Sequence, residues 1–230
     1  MSKIFIIFAT MIVESMTYEE KIKELQKDLP NYEKYVGDFM KNMVAKLNKN
    51  KMGFYDQWIN WTSPRNNKWV FRARIKRDRY VRHIYNMEYP SYFVYFVHKK
   101  GIDFFSQLVL LTTDEDKKEH AYDTWGVWIK HFFERYNERY LHADFDSIID
   151  VAKIYFNDVR ERKFSQWKYD VTETEIIINT ETAIDEGVEL GKIKQNIKTK
   201  FIYIKTNTFV TTQMLFENQQ AAWQEAINRE

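Results

Sequence analysis

The 230-residue chain has no cysteine, only three prolines and six glycines, and a net charge of just +2. The missing cysteine excludes disulfides and thiolate metal sites and points to no oxidising compartment. So few prolines and glycines argue against long structureless linkers. A charge of +2 does not by itself imply a nucleic-acid partner. No apolar run reaches the roughly 20 residues a bilayer-spanning helix needs. The longest, Ile4–Val13, lacks a small-x-small cleavage motif after it. It reads either as a buried strand or as an extension ahead of a start at Met16, and the expected location is cytoplasmic, with no membrane partner.

Aromatic residues make up 17% of the chain and hydrophobic residues 44%, which is enough to build a substantial core and excludes a disordered chain. Thr17 followed by Glu19 and Glu20 has the pattern of a helix N-terminus. The spacing of Ile22, Leu25 and Leu29 predicts a helix ending at Pro30, and a second helix is expected from about Tyr32 to Leu47. The segment "WVFRARIKR" then alternates strictly. Trp69, Phe71, Ala73 and Ile75 fall on one face and Arg72, Arg74 and Lys76 on the other, as in a half-buried strand. Two strands joined near Lys99–Gly101 follow.

Residues 114–142, beginning "DEDKKEHAYDTW", are expected to be helical, and a second helix is expected over Asp144–Arg160. "QWKYDV", "TEIIINT", "VELGKI" and "KFIYIKTNTFVT" read as strands, and the chain is expected to close on a helix after Thr211 or Thr212. The fold class is therefore α+β: N-terminal helices, antiparallel hairpins, a central His/Arg helix pair, a C-terminal antiparallel sheet and a closing helix. A division into residues 1–113 and 114–230 is one organisation consistent with this order; a single domain is the other.

Two constellations carry possible chemistry. The stretch "HFFERYNERYLH" (residues 131–142) sets His131, Arg135, Arg139 and His142 on one stripe at 100° per residue. Phe132, Phe133 and Tyr136 lie on the core side. A metal site built from His120, His131 and His142 is rejected, since eleven helical residues rise about 16 Å and ligands around one ion must all lie within about 2 Å of it. The stripe is then either a solvated face with ion pairs to Glu134 and Glu138 or a functional surface. The second constellation, Arg65–Arg82, holds eight Lys/Arg and one acid, Asp78, interleaved with Trp69, Phe71 and Tyr80. Arg72, Arg74, Lys76, Arg79 and Arg82 would suit single-stranded nucleic acid, or simply form the charged solvent face of a strand. No glycine-rich phosphate loop, nucleophile elbow, Ser-His-Asp order or carboxylate cluster points to another class of enzyme, and no cofactor is implied.

The His-x3-Arg-x3-Arg spacing of His131, Arg135 and Arg139, a following helix, strands over 165–212 and the Thr-rich "KTNTFVTTQML" together resemble the barnase/RelE-like endoribonuclease toxins. The likeness covers about residues 120–215. It implies metal-independent attack of an RNA 2′-hydroxyl on the adjacent phosphate, in a protein of phage or mobile-element origin. His131 would be general base or acid, with His142 as a second candidate. Arg135 and Arg139 would clamp the phosphate, and Thr208, Thr206 or Thr211 would orient it. Against this stand the first 110 residues, which have no counterpart in the small toxins. The stretch Val171–Leu190 also carries six carboxylates and no Lys or Arg. The leading expectation is an endoribonuclease-like or RNA-binding protein. The alternatives are a non-enzymatic assembly protein with a protein partner, from a phage particle or defence complex, and a sequence-tolerant nucleic-acid binder using residues 65–82.

Overall fold

A computed structural model describes residues 12–81, 84–88, 91–113, 119–158, 163–184, 187–215, 220, 221 and 224. The chain divides into two compact units, Met1–Phe96 and Val97–Glu230. The architecture is mixed α+β and its strands pair mostly antiparallel. Among the described residues no helix is long and apolar enough to cross a membrane.

The first unit is one long helix over a twisted antiparallel sheet. Helix α1 (Tyr18–Lys49) opens on a complete capping box: Thr17 accepts from the Glu20 amide while Glu20 accepts from the Thr17 amide. It does not stop at Pro30, as the sequence predicts, but runs through it as a single helix. An interior proline removes one helical hydrogen bond and costs about 3 kcal/mol. The apolar spacing explains the continuity: Ile22, Leu25, Tyr32, Val36, Met40 and Leu47 keep one buried face on both sides of Pro30, so packing on the sheet outweighs the local break. Strands β1 (Phe54–Thr62), β2 (Lys68–Arg77), β3 (Tyr85–Met87) and β4 (Tyr92–His98) follow. β2 pairs with β1, β3 and β4, all antiparallel.

The expected face division of β2 is observed. Trp69, Phe71, Ala73 and Ile75 are fully buried, and Tyr32 stacks on Trp69 with ring centroids 4.5 Å apart. Under the N-terminal half of α1, polar residues are buried instead of the expected Leu29. Asp28 is 0% exposed, accepts from Asn67 Nδ2 at 2.6 Å and lies 3.6 Å from Arg65 Nε. Arg65 also reaches Glu24 at 3.3 Å. The β1–β2 turn is thereby tied to the helix.

The second unit contains β5 (Gly101–Thr113), β6 (Glu119–Ile129), α2 (Lys130–Tyr136), a π-helical turn (Asn137–Leu141), α3 (Ile148–Asp158) and β7–β10 (Lys163–Val171, Glu175–Ile184, Gly187–Asn196, Ile202–Thr211). Its strand order is β5-β6-β10-β9-β8-β7. The β6–β10 pair is parallel, running Tyr203↔Trp125 to Thr206↔Trp128. The sheet over 163–211 agrees with the sequence reading. The helix expected from residue 114 does not: Glu119–Ile129 is a strand and helix begins only at Lys130. The pattern Trp125, Ile129, Phe132, Phe133 imitates a helical face, but Trp125 and Val127 are buried on one side of the strand and Thr124 and Trp128 on the other. Gly126 permits this, because a Cβ there would lie 2.2 Å from the Trp128 ring and 2.9 Å from Leu108.

Helices α2 and α3 bury a continuous aromatic core against the sheet. Tyr155 sits at its centre, with ring centroids 5.1 Å from Phe132, 5.3 Å from Tyr136 and 5.1 Å from Phe156. Its hydroxyl accepts from Trp128 Nε1 at 3.0 Å and donates to the buried carboxylate of Glu189 on β9. The expected N-terminal strand (Ile4–Val13) and closing helix lie almost wholly outside the described residues.

Candidate functional site

The stripe at 131–142 is shaped by a change of helical pitch. The α-helix lasts from Lys130 to Tyr136; residues 137–141 then widen into the π turn. A π turn fits extra residues into its circuit, so angles counted at 100° per residue fail beyond Tyr136. The helix does not persist to His142, which caps the turn in the left-handed conformation (φ 50°, ψ 38°), its amide donating to the Asn137 carbonyl at 2.8 Å.

His131 is half exposed, with Nδ1 3.7 Å from Glu134, and Glu134 also pairs with Lys130 at 2.9 Å. Arg135 pairs with Glu138. Arg139 instead donates to the backbone carbonyl of Phe209 on β10. The two arginines therefore point to different partners: one to a carboxylate one turn along its own helix, the other to the β10 backbone beside Thr208. Exposed pairs of this kind each contribute about 0–1 kcal/mol. Thr208 follows a register shift between Thr206 and Thr208. It lines a shallow cavity of about 370 Å³ with Asn179, Glu181, Leu190, Lys192 and Asn207. Lys205, opposite Lys192 in the β9–β10 register, has its ammonium pKa lowered, first by burial and further by Lys194 and Lys192, with Asp103 opposing the shift.

The basic segment forms a different surface. Arg72, Arg74 and Lys76 share one sheet face with β1 residues through the pairs Trp58↔Arg72, Asp56↔Arg74 and Phe54↔Lys76. Lys68 and Tyr95 extend the same face. Phe54 is 50% exposed, and Trp58 is half-buried with its ring 5.9 Å from Phe93. Arg72 grips Asp56 with two hydrogen bonds of 2.6 and 2.7 Å. Arg74 lies 3.4 Å from Asp56 and 3.2 Å from Glu88. Four cations thus face two carboxylates, leaving Lys68 and Lys76 exposed.

Of the aromatics interleaved in the sequence, Trp69 and Phe71 turn to the opposite face, under α1. The rings beside the cations are Phe54 and Trp58, which the sequence reading did not single out. Their signal was the alternation Phe54-x-Asp56-x-Trp58, readable only once β1 and β2 are known to pair. Arg79 is exposed in the turn after β2, and Arg82 lies outside the described residues.

That turn is organised by Asp78, whose carboxylate accepts from the Tyr80 and Val81 amides at 2.8 and 3.0 Å. These two hydrogen bonds hold its pKa below the usual aspartate value. A group with a depressed folded pKa supports the fold above its unfolded value and loses that support as pH falls through the folded one. In an NMR pH titration the Tyr80 and Val81 amide shifts should hold through the ordinary aspartate range and move only below it. Movement centred on the ordinary value would refute the cap.

No three His, Asp or Glu side chains gather to hold a metal ion among the described residues. No family model, no curated protein and no solved structure matches the chain.

Proposed function

We propose that the chain binds single-stranded RNA without cleaving it, through the β1–β2–β4 face of its first unit. The observation that carries this reading is the placement of Lys68, Arg72, Arg74 and Lys76 on the same sheet face as Phe54, Trp58 and Tyr95. Cations can follow phosphates while the exposed Phe54 and the half-buried Trp58 and Tyr95 offer ring surface for splayed bases, a combination tolerant of sequence. Asp56 holds the two arginine forks in fixed positions, and the two lysines remain open to phosphate.

A second reading, a metal-independent endoribonuclease centred on α2, draws support from the order α2, α3 and four antiparallel strands and from the exposure of His131. The commitment of Arg135 to Glu138 and of Arg139 to Phe209 makes it the weaker one. The ion pairs of Lys130, His131 and Arg135 equally suit a solvated helix face in a non-enzymatic assembly protein.

Fluorescence anisotropy with labelled single-stranded RNA tests the proposal. The affinity should fall with salt at a slope of about −0.7 per phosphate contacted, and Lys68→Ala and Lys76→Ala should each reduce that slope by about one contact. Trp58→Ala should weaken binding by about 1–3 kcal/mol, the contribution of one stacked base. Salt-independent binding, or none, would sink this reading. The same samples in EDTA address the second: cleavage by wild type but not by His131→Ala would establish the ribonuclease instead.

A further inference from the structure

The opposite side of the first unit carries a feature that the RNA reading does not use. A groove of about 540 Å³ runs along α1, lined by Tyr32, Val36, Gly37 and Met40, with Met87 on the facing wall and Glu33, Lys41 and Glu88 at the rim. Gly37 lies in the middle of a 32-residue helix. Glycine is unfavourable there relative to alanine, because the unfolded chain has more freedom to lose. It is not forced by packing, since a Cβ at Gly37 would meet nothing within 4 Å. What glycine does provide is a smooth stretch of helix surface onto which another backbone can come close.

The charges beside it are placed symmetrically. Glu33 lies four residues before Gly37 (37 − 33) and Lys41 four residues after it (41 − 37), each displaced about 6 Å along the axis. Both are exposed. An identical helix laid antiparallel, crossing at Gly37, brings Glu33 opposite the other copy's Lys41 and Lys41 opposite its Glu33. A two-fold interface requires such self-complementarity. Val36 and Met40 are buried and form the floor of the groove, and Met87, 53% exposed, forms the outer wall and supplies apolar contact.

We propose that this groove seats α1 of a second copy of the chain, antiparallel, with the two helices crossing at Gly37 and two reciprocal Glu33–Lys41 pairs. The experiment is sedimentation velocity on the full chain over a range of concentration. Wild type should dimerise. Gly37→Trp, which fills the groove, and Glu33→Lys, which sets like charges together, should each weaken the dimer at least about tenfold. Glu33→Lys combined with Lys41→Glu restores opposite charges and should recover the wild-type constant. Thermal melts of Gly37→Trp and Glu33→Lys at a concentration where wild type is monomeric serve as the folding control and should match the wild type, since association raises apparent stability only where it occurs.

A wild type that is monomeric to about 100 µM, beyond the range of a specific micromolar dimer, overturns the proposal. So does a dimer indifferent to Gly37→Trp, or a double reversal that fails to restore association. A monomeric wild type that binds an apolar dye lost in Gly37→Trp would also overturn it, in favour of a small apolar ligand.

Discussion

Tyr155→Ala should destabilise the second unit by about 3–5 kcal/mol, the range for deleting a buried aromatic ring. Tyr155 is fully buried and touches Phe132, Phe133, Tyr136, Phe156 and Trp128. No single neighbour can relax into the space it leaves. Tyr155→Phe separates the ring from the hydroxyl. It keeps the packing but withdraws the acceptor used by Trp128 and the donor used by Glu189. Loss of a hydrogen bond to a buried carboxylate costs about 1–3 kcal/mol or more.

Urea titration of both variants, with hydrogen exchange to assign the change to residues 97–230, checks the result. If Tyr155→Phe proves neutral, the Trp128–Tyr155–Glu189 chain contributes nothing and the ring alone holds the unit together. Glu189→Gln refines the outcome. It retains an acceptor for the tyrosine, so a loss as large as that of Tyr155→Phe would assign the contribution to the charge.

Asp28→Ala should destabilise the first unit by about 1–3 kcal/mol, because it leaves the buried Asn67 amide without its acceptor, while Arg65 keeps its contact with Glu24. Asn67 would lose its 2.6 Å acceptor and Arg65 the carboxylate 3.6 Å away. Asp28→Asn, of the same shape but neutral, should lie between the alanine variant and wild type. The discriminating variant is Asp28→Leu combined with Arg65→Met and Asn67→Leu. Replacing a buried polar group together with its partners by apolar residues is often neutral or stabilising. Recovery of stability in the triple variant would show that the network fixes the position of the β1–β2 turn and adds little net stability. Failure to recover would show that the network itself stabilises the fold. An Asp28→Ala protein as stable as wild type would contradict the burial on which the prediction rests.

The strands Lys68–Arg77 and Tyr92–His98 and the four over 163–211 were the legible part of the sequence. Alternation in "WVFRARIKR" and β-branched runs over 175–211 report burial directly, because a strand's period depends on nothing beyond its two faces. α1 was legible as helix but not as one helix, since the contacts that carry it across Pro30 come from Trp69 and Tyr92, far along the chain. β6 was misread because Trp125, Ile129 and Phe132 repeat at helical intervals; its pairing with β10 lies outside any local window.

The candidate sites were legible only as lists of residues. Nothing around Arg72 announces that Asp56, sixteen positions earlier, takes its guanidinium. Nothing in "ERYNERY" marks the π turn that sends Arg139 to the Phe209 carbonyl. Gly37 showed no signal at all, because its meaning lies in what is missing above it.

The parallel pairing of β6 with β10 sets a timetable for the chain as it is made. Thr124 donates to the carbonyl of Ile202, 78 residues later, so β6 cannot gain this neighbour until nearly all of the second unit has left the ribosome. Closing so long a loop is slow compared with forming the β5–β6 hairpin. For that interval the hairpin presents an unpaired edge containing Trp125 and Trp128. A nascent chain stalled before residue 202 would therefore be a natural client for holdase chaperones, and a truncation there should aggregate rather than fold.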